Sequence, residues 1–166
     1  MPYWQLYYHI VWSTAERLPL LTPEVESEVH RYLRAKAQDL EGVVFAVNGM
    51  ADHVHMVVSI PPKVAVAQFI GQVKAVASTK HNQRLATARL LAWQSEYGVF
   101  SFDGKRLPNY IGYVERQKQH HAKGQTIPVL ERTHAGAVRR VAESPASYLT
   151  EDDAWRRDLL AGEVAD

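Results

Sequence analysis

The chain has 166 residues, 46% of them hydrophobic, which suffices for one buried core and would leave two smaller units each marginal. It contains no cysteine, so a disulfide framework and a thiolate metal site are both excluded, and an intracellular setting fits. The formal net charge of +1 hides an asymmetry: residues 1–124 carry 14 Lys/Arg against 10 Asp/Glu, whereas residues 125–166 carry 5 against 8, so any polyanion partner belongs to the first part.

No apolar run approaches the roughly 20 residues that span a bilayer. The start, MPYWQLYYHI, lacks the basic n-region of a signal peptide, and the expectation is a soluble cytoplasmic protein with no membrane partner. Residues 3–13, rich in aromatic and β-branched types, predict a first strand. Thr22 and Pro23 then form an N-cap and first-position pair, with Glu24 and Glu26 in the first turn, where the helix dipole favours acids. Val25, Val29, Tyr32, Leu33 and Leu40 share one face of that helix, which Gly42 closes. Residues 43–48 and 53–60 predict two more strands, the latter stopped by Pro61-Pro62. A second helix, about 65–86, turns Val66, Phe69, Ile70, Val73 and Val76 inward and Lys74, Lys80 and Arg84 outward or toward a partner. Residues 91–103 predict one or two strands, and Pro108-Asn109 introduce a third helix, about 110–123, closed by Gly124.

The order β-α-β-β-α-β-α predicts an α+β fold, an antiparallel sheet with helices packed on it, of ferredoxin-like or RNA-recognition-like type. This domain is taken as residues 1–124. Residues 125–166, with scattered prolines and only short apolar groups such as Ala154, Trp155, Leu159 and Leu160, are expected to be an extension of short helices or a mobile tail.

The stretch ADHVHMVVSI (51–60) carries two histidines one residue apart. Alternation puts Val54, Met56, Val58 and Ile60 on one side of the strand and His53, His55, Val57 and Ser59 on the other. The purely apolar set is the expected core side, so the imidazoles look outward side by side, spaced to reach one metal ion. The plainer reading is a half-exposed strand end with solvated histidines. In NYIGYVERQKQHHAKG (109–124), Tyr113 and Gln117 are helical neighbours, Tyr110 and His121 extend their stripe, and Ile111, Val114 and Ala122 offer a packing face. A tyrosine on such a surface is ordinarily a packing residue.

A His-x-His strand followed some sixty residues later by a helix bearing Tyr-x-x-x-Gln resembles the HUH-endonuclease superfamily. The resemblance is to its single-tyrosine transposases, the IS-two-hundred group of insertion sequences with their REP-associated relatives. It runs through YHIVWST (8–14), RLPLLTPEVE (17–26), FAVNGMADHVHMVVSIPPK (45–63), AWQSEYGVFSF (92–102) and YIGYVERQKQHH (110–121), and so spans roughly residues 3–124. It implies that His53 and His55 bind a divalent cation with Gln117 as third ligand, and that Tyr113 is the nucleophile, with Tyr110 as its rival. Asp52 either orients a ligand histidine from behind or only caps the strand.

The implied chemistry suits these residue types. A phenol is a poor nucleophile at neutral pH and a phosphodiester a reluctant electrophile, so Mg²⁺ or Mn²⁺ would polarise the phosphate and offset developing charge. Attack by Tyr113 would give a 5′-phosphotyrosine and a free 3′-hydroxyl, keeping the bond energy for strand rejoining without ATP. The resemblance further implies single-stranded DNA with hairpins at element ends as substrate, and a homodimer whose subunits share active sites. Lys74, Lys80, Arg84, Arg116, Lys118 and Lys123 are the candidate phosphate contacts, with a solvated helix face as the plainer account of each; Trp12 or Trp93 would stack a base or pack in the core. Two other functions stay open: a domesticated nuclease acting on chromosomal hairpin repeats, and a non-catalytic nucleic-acid-binding module in which the histidines are incidental.

Overall fold

The structure, a computed structural model, describes residues 1–84, 90–134 and 154–161. Strands β1 (Tyr7–Ser13), β2 (Val43–Met50), β3 (His53–Ser59) and β4 (Gly98–Phe102) form one sheet in the order β2-β3-β1-β4 with every neighbouring pair antiparallel. Helices α1 (Pro23–Asp39) and α2 (Val66–Gln83) connect β1 to β2 and β3 to β4, and α3 (Leu107–Glu115) follows. This is the expected β-α-β-β-α-β-α order and an α+β fold of ferredoxin-like connectivity.

Both faces of the sheet are covered, which corrects the expectation of a single core side. Ile10, Trp12, Val54, Met56 and Val58 meet Val29, Leu33, Phe69, Ile70 and Val73 from α1 and α2. On the opposite face Val57 and Ala46 meet Tyr110, Tyr113 and Val114 of α3 and the buried Ile127 and Leu130. The histidines therefore do not look into solvent: His53 is 4% exposed and His55 0%. Alternation assigned the two side-chain sets correctly, but it carries no information about what lies over the second face.

Several boundaries differ from expectation for identifiable reasons. The first strand begins at Tyr7, and residues 91–103 contribute one strand, β4, plus an isolated bridge between Thr14 and Trp93. Thr22 takes the extended N-cap backbone, yet its side chain makes no capping bond; Pro23 starts the helix as foreseen. The third helix is two: α3 ends at Glu115, Arg116 leaves helical geometry, and α4 spans Gln117–Lys123. At the break the Gln117 side-chain amide donates to the Tyr113 carbonyl at 3.3 Å, a side chain intruding on the i to i−4 ladder. Gly124 closes α4 with φ 63°, the left-handed position glycine occupies without strain.

Beyond Gly124 the chain packs rather than leaving the body. Ile127 and Leu130 are fully buried, and the short helix α5 (Pro128–Glu131) lies against β1 and β4. Gly98 permits that approach, since a Cβ there would lie 2.0 Å from the Arg132 carbonyl oxygen. Thr133 is buried as well, at 2% exposed. Helix α6 (Ala154–Ala161) adds Leu159 to the second core; the rest of the extension lies outside the described residues. No described helix is long and apolar enough to cross a membrane.

Candidate metal and nucleophile site

The β2–β3 hairpin places the first site residues. Met50 pairs with His53, leaving Ala51 and Asp52 as a two-residue loop. The Asp52 carbonyl accepts from the Thr14 backbone N–H at 2.8 Å and from its hydroxyl at 3.1 Å, tying the loop to the end of β1. The Asp52 carboxylate then lies 2.7 Å from His53 Nδ1 and 3.4 Å from the Arg17 guanidinium. Of the two expectations for Asp52, contact with a candidate ligand histidine is the one the geometry displays.

Glu131, which motif reasoning missed, sits at the centre of the site. Its Oε2 lies 3.3 Å from His53 Nε2, 3.1 Å from His55 Nε2 and 3.5 Å from His121 Nε2. Its Oε1 accepts the Tyr113 hydroxyl at 2.5 Å. Ligand atoms of His53, His55 and Glu131 all fall within 4.8 Å of one another, and among the described residues they form the group of His and acidic side chains able to hold one metal ion. Two imidazole nitrogens and a carboxylate oxygen suit a divalent first-row or hard cation with open positions left for oxygen ligands.

Gln117, the expected third ligand, is fully buried beside this group. Its Nε2 is spent on the Tyr113 carbonyl, while its Oε1 has no hydrogen-bond partner and so remains an uncommitted acceptor. Between the two candidate tyrosines, the hydroxyl of Tyr113 reaches the carboxylate and also accepts from the Ile127 N–H at 2.9 Å. Tyr110 instead stacks on Phe102, with ring centroids 3.9 Å apart and planes 7° from parallel.

The electrostatics follow from burial and from Glu131. Burial works against the Glu131 carboxylate, but the bonds from His53 and His55 outweigh it and hold the group well below the usual carboxylate range. Burial likewise opposes a charged His53, yet its bonds to Asp52 and Glu131 prevail and raise it to about 9. His55, fully enclosed, is lowered by burial and stays neutral. Tyr113 is raised by burial first and by the Glu131 charge next, so its phenol keeps its proton at neutral pH; Tyr110 is pushed up to about 12 by burial. Tyr113 itself is only 2% exposed.

The six candidate phosphate contacts separate. Lys74 is 6% exposed, and its ammonium donates to the carbonyls of Gln94 at 2.6 Å, Glu96 at 3.4 Å and Ser95 at 3.5 Å, which corrects the expectation that it points outward or toward a partner. Arg84 is engaged by Glu28, and Lys118 donates to Glu26 and Asn48 at 2.6 and 3.0 Å. Lys80, Arg116 and Lys123 are exposed, Lys80 lying over the Tyr32 ring. Trp12 is buried edge-on against Trp93, whose indole donates to the Lys74 carbonyl, so core packing accounts for both.

The antiparallel βαββαβ sheet with helices packed on it is a fold shared with solved transposases. The solved REP-associated tyrosine transposase bound to a REP hairpin shares this fold, with a TM-score of 0.53 at 12% identity over 76% of each chain. Residues 2–117 match the family described as "Transposase IS200 like", and the chain belongs to that family. Relatives include the IS200 element transposase of Salmonella typhimurium, 23% identical over 130 residues (76% of this chain, 86% of that protein). The ISDra2 transposase TnpA of Deinococcus radiodurans is 30% identical over 121 residues (69% and 85%). Glu131 lies fourteen residues beyond the family match, and its isolated position in an unrecognised segment offered no signal.

Proposed function

We propose that this protein cleaves and rejoins single-stranded DNA by transesterification, with Tyr113 as the nucleophile. The observation that carries the reading is the convergence of Tyr113, His53 and His55 on the single carboxylate of Glu131. His53, His55 and Glu131 would hold a divalent cation, Mg²⁺ or Mn²⁺, with the unpartnered Gln117 Oε1 as a further oxygen donor; the cation would supply charge neutralisation at the scissile phosphate. Asp52 holds the His53 ring from behind.

In the cleavage step, Tyr113 Oη attacks phosphorus while its proton leaves to solvent along the hydrogen bond to Glu131, and the bond to the 3′ oxygen breaks, that oxygen taking up a proton from solvent. The products are a 5′-phosphotyrosine and a 3′-hydroxyl, and the reverse attack by a 3′-hydroxyl rejoins strands. Family membership and the hairpin-bound relative support single-stranded DNA with a hairpin as substrate. Lys80, Arg116 and Lys123 are the proposed phosphate contacts, since their charges face solvent. A cytoplasmic setting and a homodimer complete the proposal on family resemblance.

The test is a denaturing gel for a covalent protein–DNA adduct, using single-stranded oligonucleotides from the DNA flanking the gene with Mn²⁺, Mg²⁺ or EDTA. A metal-dependent adduct absent in Tyr113→Phe is the expected result. An adduct that persists in that variant would assign the nucleophile elsewhere.

A further inference from the structure

His9 lies on β1, opposite Val57 of β3, and so shares a sheet face with His55. It is fully buried, and its Nε2 lies 3.0 Å from His55 Nδ1. Two ring nitrogens at this distance share one proton, so one ring donates and the other accepts. His53 has a carboxylate at the corresponding nitrogen, Asp52 at 2.7 Å; His55 has another imidazole.

We propose that His9 is a positioning residue of the metal centre: its Nε2 accepts the Nδ1–H of His55 and thereby aims the His55 Nε2 lone pair at the cation. The inference rests on the reading of His53, His55 and Glu131 as that centre. A neutral imidazole that binds metal through Nε2 must carry its proton on Nδ1, and the hydrogen-bond partner of His55 Nδ1 is His9 Nε2. The His9 proton then resides on its own Nδ1, which has no hydrogen-bond partner. Ring contacts hold His9 in place of a second hydrogen bond: Tyr110 at 5.9 Å, Phe100 at 6.4 Å and Tyr113 at 6.4 Å between centroids. His55 is thus oriented without a second negative charge next to Glu131.

Three variants and one spectrum test this. Co²⁺ titration followed by visible absorption gives affinity and ligand field for wild type, His9→Phe, His9→Gln and His55→Ala. His9→Phe, which keeps a ring but removes the acceptor, is expected to weaken Co²⁺ by about 10- to 100-fold and to alter the spectrum. His9→Gln, which returns a polar group near the Nε2 position, is expected to recover most of the affinity. In ¹⁵N NMR of the Zn²⁺-bound wild type, the proton is expected on His55 Nδ1, with His9 Nε2 as the unprotonated partner. Wild-type affinity in His9→Phe would overturn the role of His9 while leaving the metal centre intact. Equal weakening in both His9 variants, or a proton found on His9 Nε2, would also overturn it. Failure of wild type to bind Co²⁺, or binding unaffected by His55→Ala, would remove the metal centre itself and His9 with it.

Discussion

Tyr113 donates its phenolic proton to Glu131 across 2.5 Å, joining the tyrosine helix to a carboxylate eighteen residues further along the chain. The other oxygen of that carboxylate faces His53 and His55, so the nucleophile candidate and the metal-binding candidates are held by opposite sides of one group.

Removing the charge of Glu131 while keeping its shape separates its two roles. Glu131→Gln retains a carbonyl oxygen for the Tyr113 hydroxyl but presents a neutral oxygen to a cation. Mn²⁺ affinity, measured by calorimetry, is expected to fall by at least about tenfold, with adduct formation falling alongside it. Unchanged Mn²⁺ affinity would place Glu131 outside the metal centre.

The Tyr113→Phe variant also has a stability signature. It strips a hydrogen bond from a buried Ile127 N–H and leaves a Glu131 oxygen without its donor. A loss of about 1–3 kcal/mol is expected in urea unfolding. Single-stranded DNA binding by the folded variant should stay near wild type, because the exposed cations are untouched.

His53 sets a pH dependence in the metal-free protein. Its folded-state pKa is raised to about 9 from 6.5, so the stability it contributes is fully present below pH 6.5 and is lost as pH rises through 9. Lys74, which burial lowers to about 8, starts to act in the opposite direction above that pH. His9, His30 and His55, which burial lowers, oppose the His53 effect as pH rises through 6.5. A falling Tm in EDTA is therefore expected from about pH 7.5 upward, read as the difference between wild type and Asp52→Asn. Asp52→Asn should flatten that slope, since it removes a carboxylate responsible for the rise.

Lys74 and Lys123 should behave differently although both are lysines on helices. Lys74→Met leaves the Gln94 carbonyl without its donor and is expected to cost about 1–3 kcal/mol of stability, with the salt dependence of DNA binding unchanged. Lys123→Ala should leave stability within about 0.5 kcal/mol. It should reduce the slope of log affinity against log salt by about 0.7, the value of one phosphate contact on a single strand.

Much of this protein was readable along the chain because the relevant rules are local. The period-two pattern of β3 separated Val54, Met56 and Val58 from His53, His55 and Val57, and the helical spacing put Gln117 next to Tyr113. The element order determined the sheet topology because short connections leave few alternatives. What covers the second sheet face was not a local property. Ile127 and Leu130 carry no periodic signal, yet their burial draws α5 over the sheet and delivers Glu131 to the histidines and the phenol. His9 likewise reads as one polar residue in an aromatic strand until strand register sets it beside His55. Tertiary structure alone decided which side chains share the site, because strand pairing and apolar burial join residues whose separation in sequence, 46 for His9 with His55 and 76 for His55 with Glu131, lies far beyond any motif.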